Sequence, residues 1–366
     1  MKRPTRSRAA SSSKETMAAI NAPPVTARPF LPPYRPSWFD GLKGLIERLP
    51  IPWWLFYLIV GAVSILVFTS VQARAGAYDD GFFAWHLFLA IQPVFLLAAV
   101  HYLSREPSRA LAEFQPAMAE PERLPEVRYR LTVLPARMAL IVTLIWILVL
   151  VLFYLQGPAG AATLRVAPST FPFWSVFTLL FTLSYGPFTA FAIHQVLELR
   201  RLFAQPLVID LYHPEPMYAF SPLAARLAFV LALVTYGWGM SDPTTFTNLL
   251  SLATSIAMVA LALAVFAFPL WGAHRRLKAE KKRALAGNGA RLKSTAAELH
   301  RRLDQAEITG MDDLHKALAS LDLERAHLSR VPTWPWQPET LRGLVAALAL
   351  PIVIWLIQYG LGRLLG

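Results

Sequence analysis

The chain has 366 residues, 55% of them hydrophobic and 16% charged, with 35 Lys and Arg against 23 Asp and Glu and a net charge of +12. A soluble domain carries about 25% charge, so this composition rules out a disordered chain and argues against an ordinary soluble enzyme. The chain has no cysteine, which removes disulfides, thiolate metal sites, cysteine nucleophiles and palmitoylation.

Residues 1–36 are basic and rich in Ser, Pro and Arg, and no apolar core of a signal peptide follows them. They read as a disordered, retained cytoplasmic tail. SWFDGLKGLIERLP at 37–50 reads as an amphipathic interfacial helix. Trp38, Leu42, Leu45, Ile46 and Leu49 share one face, Ser37 and Asp40 stand at capping-box spacing, and Pro50 ends the helix.

A bilayer core takes about 20 apolar residues. Seven runs meet that length, at 52–71, 82–103, 137–156, 173–197, 220–239, 249–272 and 343–362. The expected fold is all-α: a polytopic membrane helix bundle with seven transmembrane helices. Helices 1–6 lie within 51–272, a cytoplasmic helical segment spans 273–338, and helix 7 lies within 339–366. The fifth run carries Arg226 near its start, a side chain expected to snorkel to the headgroups.

Charge sets the expected orientation. All basic residues except Arg74, Arg165 and Arg363 fall on one side of the seven runs. That places the N-terminus inside and the C-terminus outside. The localisation expected is multi-pass, in a cell (plasma or inner) membrane. The positive charge then faces anionic inner-leaflet lipids and not nucleic acid.

The sixth run continues without a breaker through AHRRLKAEKKRALA, so its helix is expected to stop at Gly287-Asn288-Gly289. A second helix would carry Leu292, Ala296, Leu299, Leu303 and Ala306 on one stripe. Thr309 and Asp312 would cap a third, with Met311, Leu314, Leu318, Leu321 and Leu328. The two stripes can close as a hairpin. Pro332-Thr333-Trp334-Pro335-Trp336 reads as stiff extended chain with two interfacial anchors. The loop Phe203–Pro222 is apolar and proline-rich, and fits either the inner membrane interface or the cytoplasmic helices.

No nucleotide, serine-hydrolase or zinc-protease motif occurs, and no enzyme activity, cofactor or metal is expected. Asp210, His213 and Glu215 form a D-x-x-H-x-E cluster in the inner loop, either a metal or acid–base site or a plain hydrogen-bonding loop. His274, His300, His315 and His327 are expected to be solvated. The polar residues at depth are neutral: His86, Gln92, Tyr185, His194, Gln195 and Gln358. They read first as interhelical hydrogen bonders. Breakers fall at Gln92-Pro93, Ser184-Tyr185-Gly186-Pro187, Pro269 and Pro351. They either kink their helices or open a cavity between spans 4 and 7, lined by Tyr185, Gln358 and Tyr359.

This plan resembles the insect odorant and gustatory receptor superfamily of seven-helix channels. The likeness is one of organisation from about residue 37 onward: N-terminus inside, short outer loops, and helices that extend into the cytoplasm before the last span. The last span, ALALPIVIWLIQYGLGRLLG, lacks that family's Thr-Tyr signature. The resemblance implies an oligomeric ion channel or channel-like receptor, a homo-oligomer with Gln358 and Tyr359 near the outer end of its pore. Two other readings stand beside it. One is a membrane scaffold or sensor that docks a cytoplasmic protein partner through 273–342. The other is a carrier or lipid-handling protein.

Overall fold

The computed structural model describes residues 31–74, 83–154, 171–241, 249–307, 309–336, 341–343 and 345–346. Contacts divide the chain into residues 1–33 and 34–366, and the architecture below is that of the second unit. Among the described residues it is all-helical, with no strand and only two isolated bridges.

α1 spans Trp38–Ile46, capped at Ser37 by a complete capping box with Asp40. The Asp40 carboxylate also accepts from Leu134 N at 3.1 Å and from Lys43 Nζ at 3.0 Å. The helix therefore cannot lift off without losing its cap. Its apolar side is divided. Phe39 and Ile46 are buried, while Trp38, Leu45 and Leu49 stay exposed.

The apolar helices follow: α2 Trp53–Arg74, α3 Phe83–Leu103, α6 Ala136–Tyr154, α7 Phe171–Ala204, α8 Ser221–Ser241 and α9 Leu249–Asp304. Five helical stretches are long and apolar enough to cross a bilayer, in α2, α3, α7, α8 and α9. In α6 the apolar stretch over Ala136–Val149 is shorter. α7 is central and touches α3, α6 and α9, while α8 bridges α3 and α9. Pro93, Pro187 and Pro269 all sit inside continuous helices. Each helix continues past the residue where the sequence suggested a break, because a proline removes one backbone bond and the neighbouring helices keep the rest aligned.

Between α3 and α6 the chain folds into two short helices, α4 (Glu106–Phe114) and α5 (Leu124–Thr132). Phe114 of α4 meets Phe203 and Phe220 edge to face, at 5.7 and 5.3 Å. Met217, Leu211 and Leu131 join them in the same core. The main hydrophobic core thus includes the loop-rich end of the bundle. There the Phe203–Pro222 loop packs on α4 and on the extension of α9, and Tyr218 donates to the Pro332 carbonyl. Arg226 pairs with Glu106 of α4 and lies over the Tyr102 ring.

α9 corrects the sequence reading most. It does not stop at Gly287-Asn288-Gly289 but runs as one helix of 56 residues to Asp304. α10 (Met311–Arg330) folds back on it. Two interior glycines weaken a helix by about 1 kcal/mol each. Asn288 offsets this: it is buried, and its amide donates to Leu321 O at 2.9 Å and Glu324 Oε2 at 2.8 Å on α10. The α10 stripe is half-buried over Met311, Leu314, Leu318 and Leu321 and fully buried at Leu328, whereas Leu303 of α9 is exposed. Thr309 is not the cap of α10. Gly310 takes that place at φ 78°, and the Thr309 carbonyl accepts from Arg302.

The segment after α10 is held by rings. His274 stacks on Trp334 at 3.9 Å, Trp334 on Trp336 at 4.3 Å, and Trp336 on Phe266 at 5.6 Å. His274 also donates from Nδ1 to the Thr333 carbonyl at 3.0 Å. The expectation that His274 is merely solvated is overturned, because residues 331–336 lie along α9.

Candidate functional site

The polar side chains at depth pair with one another. The Gln92 amide on α3 donates to the Tyr185 hydroxyl on α7. Trp146 on α6 donates from Nε1 to Thr189 Oγ1 at 3.1 Å. The Tyr185 ring lies between Trp146 and Phe181, at 4.9 and 4.7 Å. One residue on, Gly186 lets α6 approach. A Cβ there would sit 2.9 Å from the Thr143 Cα, so only glycine fits without moving backbone.

Beside this cluster lies a groove of about 430 Å³. Tyr185 and Trp146 are among its lining residues. Ile193 and Leu197 of α7 form one wall, and Leu261 and Phe268 of α9 the other. Its lining is almost wholly apolar, because the Trp146, Tyr185 and Thr189 polar atoms already have partners. Leu197, Leu261 and Phe268 are all exposed at its rim. The volume lies in the range of small-ligand pockets. Among the described residues the lining exposes almost no polar atom, so it offers contacts suited to hydrocarbon.

A second hollow, of about 190 Å³, lies between α5 and α7 and is lined by Arg123, Glu126, Arg130, Glu198 and Arg201. Its charges satisfy one another: Glu126 holds Arg130 at 2.7 Å and Glu198 holds Arg201 at 2.5 Å. Above it, His194 Nε2 donates to the Arg130 carbonyl at 2.7 Å and Gln195 Nε2 to the Leu131 carbonyl at 2.6 Å. The Tyr34 hydroxyl donates to the Val133 carbonyl at 3.0 Å. Burial, reinforced by Glu198, pushes the Tyr34 phenol well above its ordinary pKa, so it stays a neutral donor. This region reads as a clasp that joins the segment before α1 to α5 and α7.

The sequence-selected residues fare differently. Tyr185 borders the groove, partnered by Gln92. Gln358 and Tyr359 lie outside the described residues. Asp210, His213 and Glu215 are all exposed. Asp210 accepts from the Tyr212 amide at 2.8 Å, and Glu215 borders a shallow hollow beside Glu113. Among the described residues no group of three or more His, Asp or Glu is placed to hold a metal. The α7 and α9 groove walls were missed. Their residues are ordinary span residues in sequence, and the space between two helices has no local signature.

No protein family, curated protein or solved structure matches the chain. What the fold defines is a class: an all-helical membrane protein with several bilayer-length apolar helices, joined to a helical hairpin.

Proposed function

We propose that this protein is a lipid-responsive membrane sensor. The groove between α7 and α9 holds the hydrocarbon chain of a bilayer lipid, and the α9–α10 hairpin reports its occupancy. The observation that carries this reading is the continuity of α9. Leu261, Val265 and Phe268 line the groove, and the same unbroken helix forms the arm of the hairpin. A rigid helix transmits tilt along its length, so displacement of its wall by a ligand moves the hairpin. We place the hairpin on the cytoplasmic side, on the charge argument above. A pore needs a continuous polar lining, and the mutual pairing of Gln92, Tyr185, Trp146 and Thr189 favours the groove over an ion path.

The test uses the full chain in nanodiscs. Native mass spectrometry reads the retained lipid. Spin labels on S294C and E122C read the hairpin position, on a background that has no other cysteine. The substitutions A264W and A192W fill the groove from opposite walls. Both are expected to lose the retained lipid and shift the spin–spin distance. A lipid content unchanged in both variants overturns the groove, and lost lipid with an unchanged distance overturns the relay.

A further inference from the structure

Both walls of the groove end in an arginine. On α7, Ile193 and Val196 line the groove, and Arg200 continues their face at seven- and four-residue spacing. On α9, Leu261 and Phe268 line it, and Arg275 follows Phe268 at seven. The walls meet where Gly272 abuts Phe203, with 2.9 Å from a built Cβ to the Phe203 Cβ. Arg200 lies three residues before that crossing and Arg275 three after it. At 1.5 Å per residue the two are roughly 9 Å apart along the bundle, within joint reach of one phosphate.

Three neighbouring bases have structural tasks, whereas these two, like Lys278 and Lys282 further along α9, do not. Arg201 is held by Glu198. Arg276 donates to the carbonyls of Ala204 and Gln205, closing the C-terminus of α7. Lys281 does the same for α10, at Ser329 O and Val331 O. Arg200 and Arg275 are exposed and have neither an ion pair nor a hydrogen bond among the described residues. Trp271, 52% exposed, stands between Phe268 and Arg275, where an indole marks the boundary between hydrocarbon and headgroup.

We infer that the groove is an anionic-phospholipid site: one acyl chain lies against Ile193, Leu197, Leu261 and Phe268, and the phosphate sits between Arg200 and Arg275. The inference rests on the groove reading and adds the headgroup. Arginine suits the task because its planar fork grips phosphate oxygens in pairs.

The experiment reconstitutes the full chain in nanodiscs of equal phosphatidylglycerol and phosphatidylcholine, and reads the lipids retained after mild detergent extraction by native mass spectrometry. Wild-type protein is expected to retain phosphatidylglycerol enriched roughly tenfold. The R200Q/R275Q variant is expected to fall to near parity while the total lipid per protein stays constant. The R200K/R275K variant should recover part of the enrichment. A control, R128Q/K293Q, removes two exposed bases away from the groove and should keep it all. An equal loss in the control, or unchanged enrichment in R200Q/R275Q, overturns the headgroup site and leaves the groove standing. Wild-type protein that retains no lipid overturns the groove, and this inference with it.

Discussion

Asn288 donates to Glu324 Oε2 at 2.8 Å and to the Leu321 carbonyl at 2.9 Å, and it does so between two glycines. α9 is thus gripped by α10 at its intrinsically weakest turn. A Gly-Asn-Gly sequence, which on its own ends a helix, here sits inside one.

That grip predicts the effect of N288A. Removing the amide takes away two interhelical bonds, although the Leu321 carbonyl keeps its bond within α10 and Glu324 still accepts from the Tyr212 hydroxyl, a loss of about 1–3 kcal/mol. Hydrogen exchange on the full chain in nanodiscs should show faster exchange over 311–330. The E324Q variant keeps an acceptor oxygen and should exchange nearly as wild type. Unchanged protection in N288A would show that the stripe of Leu314, Leu318 and Leu321 holds the hairpin alone.

The glycines divide by their surroundings. A Cβ at Gly287 or Gly289 meets no atom within 4 Å, so G287A and G289A should each stabilise the hairpin by up to about 1 kcal/mol. At Gly186 the same change pushes against the Thr143 backbone, and G186A should destabilise the bundle by roughly 1–3 kcal/mol. Thermal unfolding followed by circular dichroism in one detergent separates the two signs. A G186A protein as stable as G287A would refute the tight α6–α7 crossing.

Gln92 and Tyr185 join α3 to α7 inside the bundle. A double-mutant cycle with Q92L and Y185F should return a coupling of about 0.6–1.7 kcal/mol, the range for interhelical hydrogen bonds in membranes. Purely additive losses would mean that the two side chains do not share a bond.

The ring ladder over α9 predicts a graded series. W334A removes the stacks on His274 and Trp336, at about 0.5–1.5 kcal/mol for each ring pair. H274F keeps a ring but loses the bond to Thr333. Trypsin cleavage after Arg330 should be fastest in W334A, intermediate in H274F and slowest in wild type. Equal rates across the series would show that residues 331–336 are held by something other than the rings.

Much of the local architecture was legible in the residues. The apolar runs gave most of the long helices, because a stretch of bilayer length has few other outcomes. Ser37 and Asp40 announced the start of α1, and the Met311–Leu328 stripe announced the partner face of α10. The helices α4 and α5 were readable too: Pro107 and Pro125 stand in their first turns, and Ala110, Leu111 and Phe114 repeat at helical spacing. Their apolar signal is far weaker than that of the runs on either side.

What the sequence determined by itself is the material of each helix and the imbalance of charge between its ends, since both follow from the residues of one segment. Tertiary structure alone decided that α9 continues through its glycines, that Arg226 turns to Glu106, that His274 lies under Trp334, and that α7 and α9 enclose a groove with an arginine at the end of each wall. Every one of these depends on atoms supplied by a segment distant in the chain. A spacing rule reads one helix at a time, and the energy that chooses among its outcomes comes from the helix beside it.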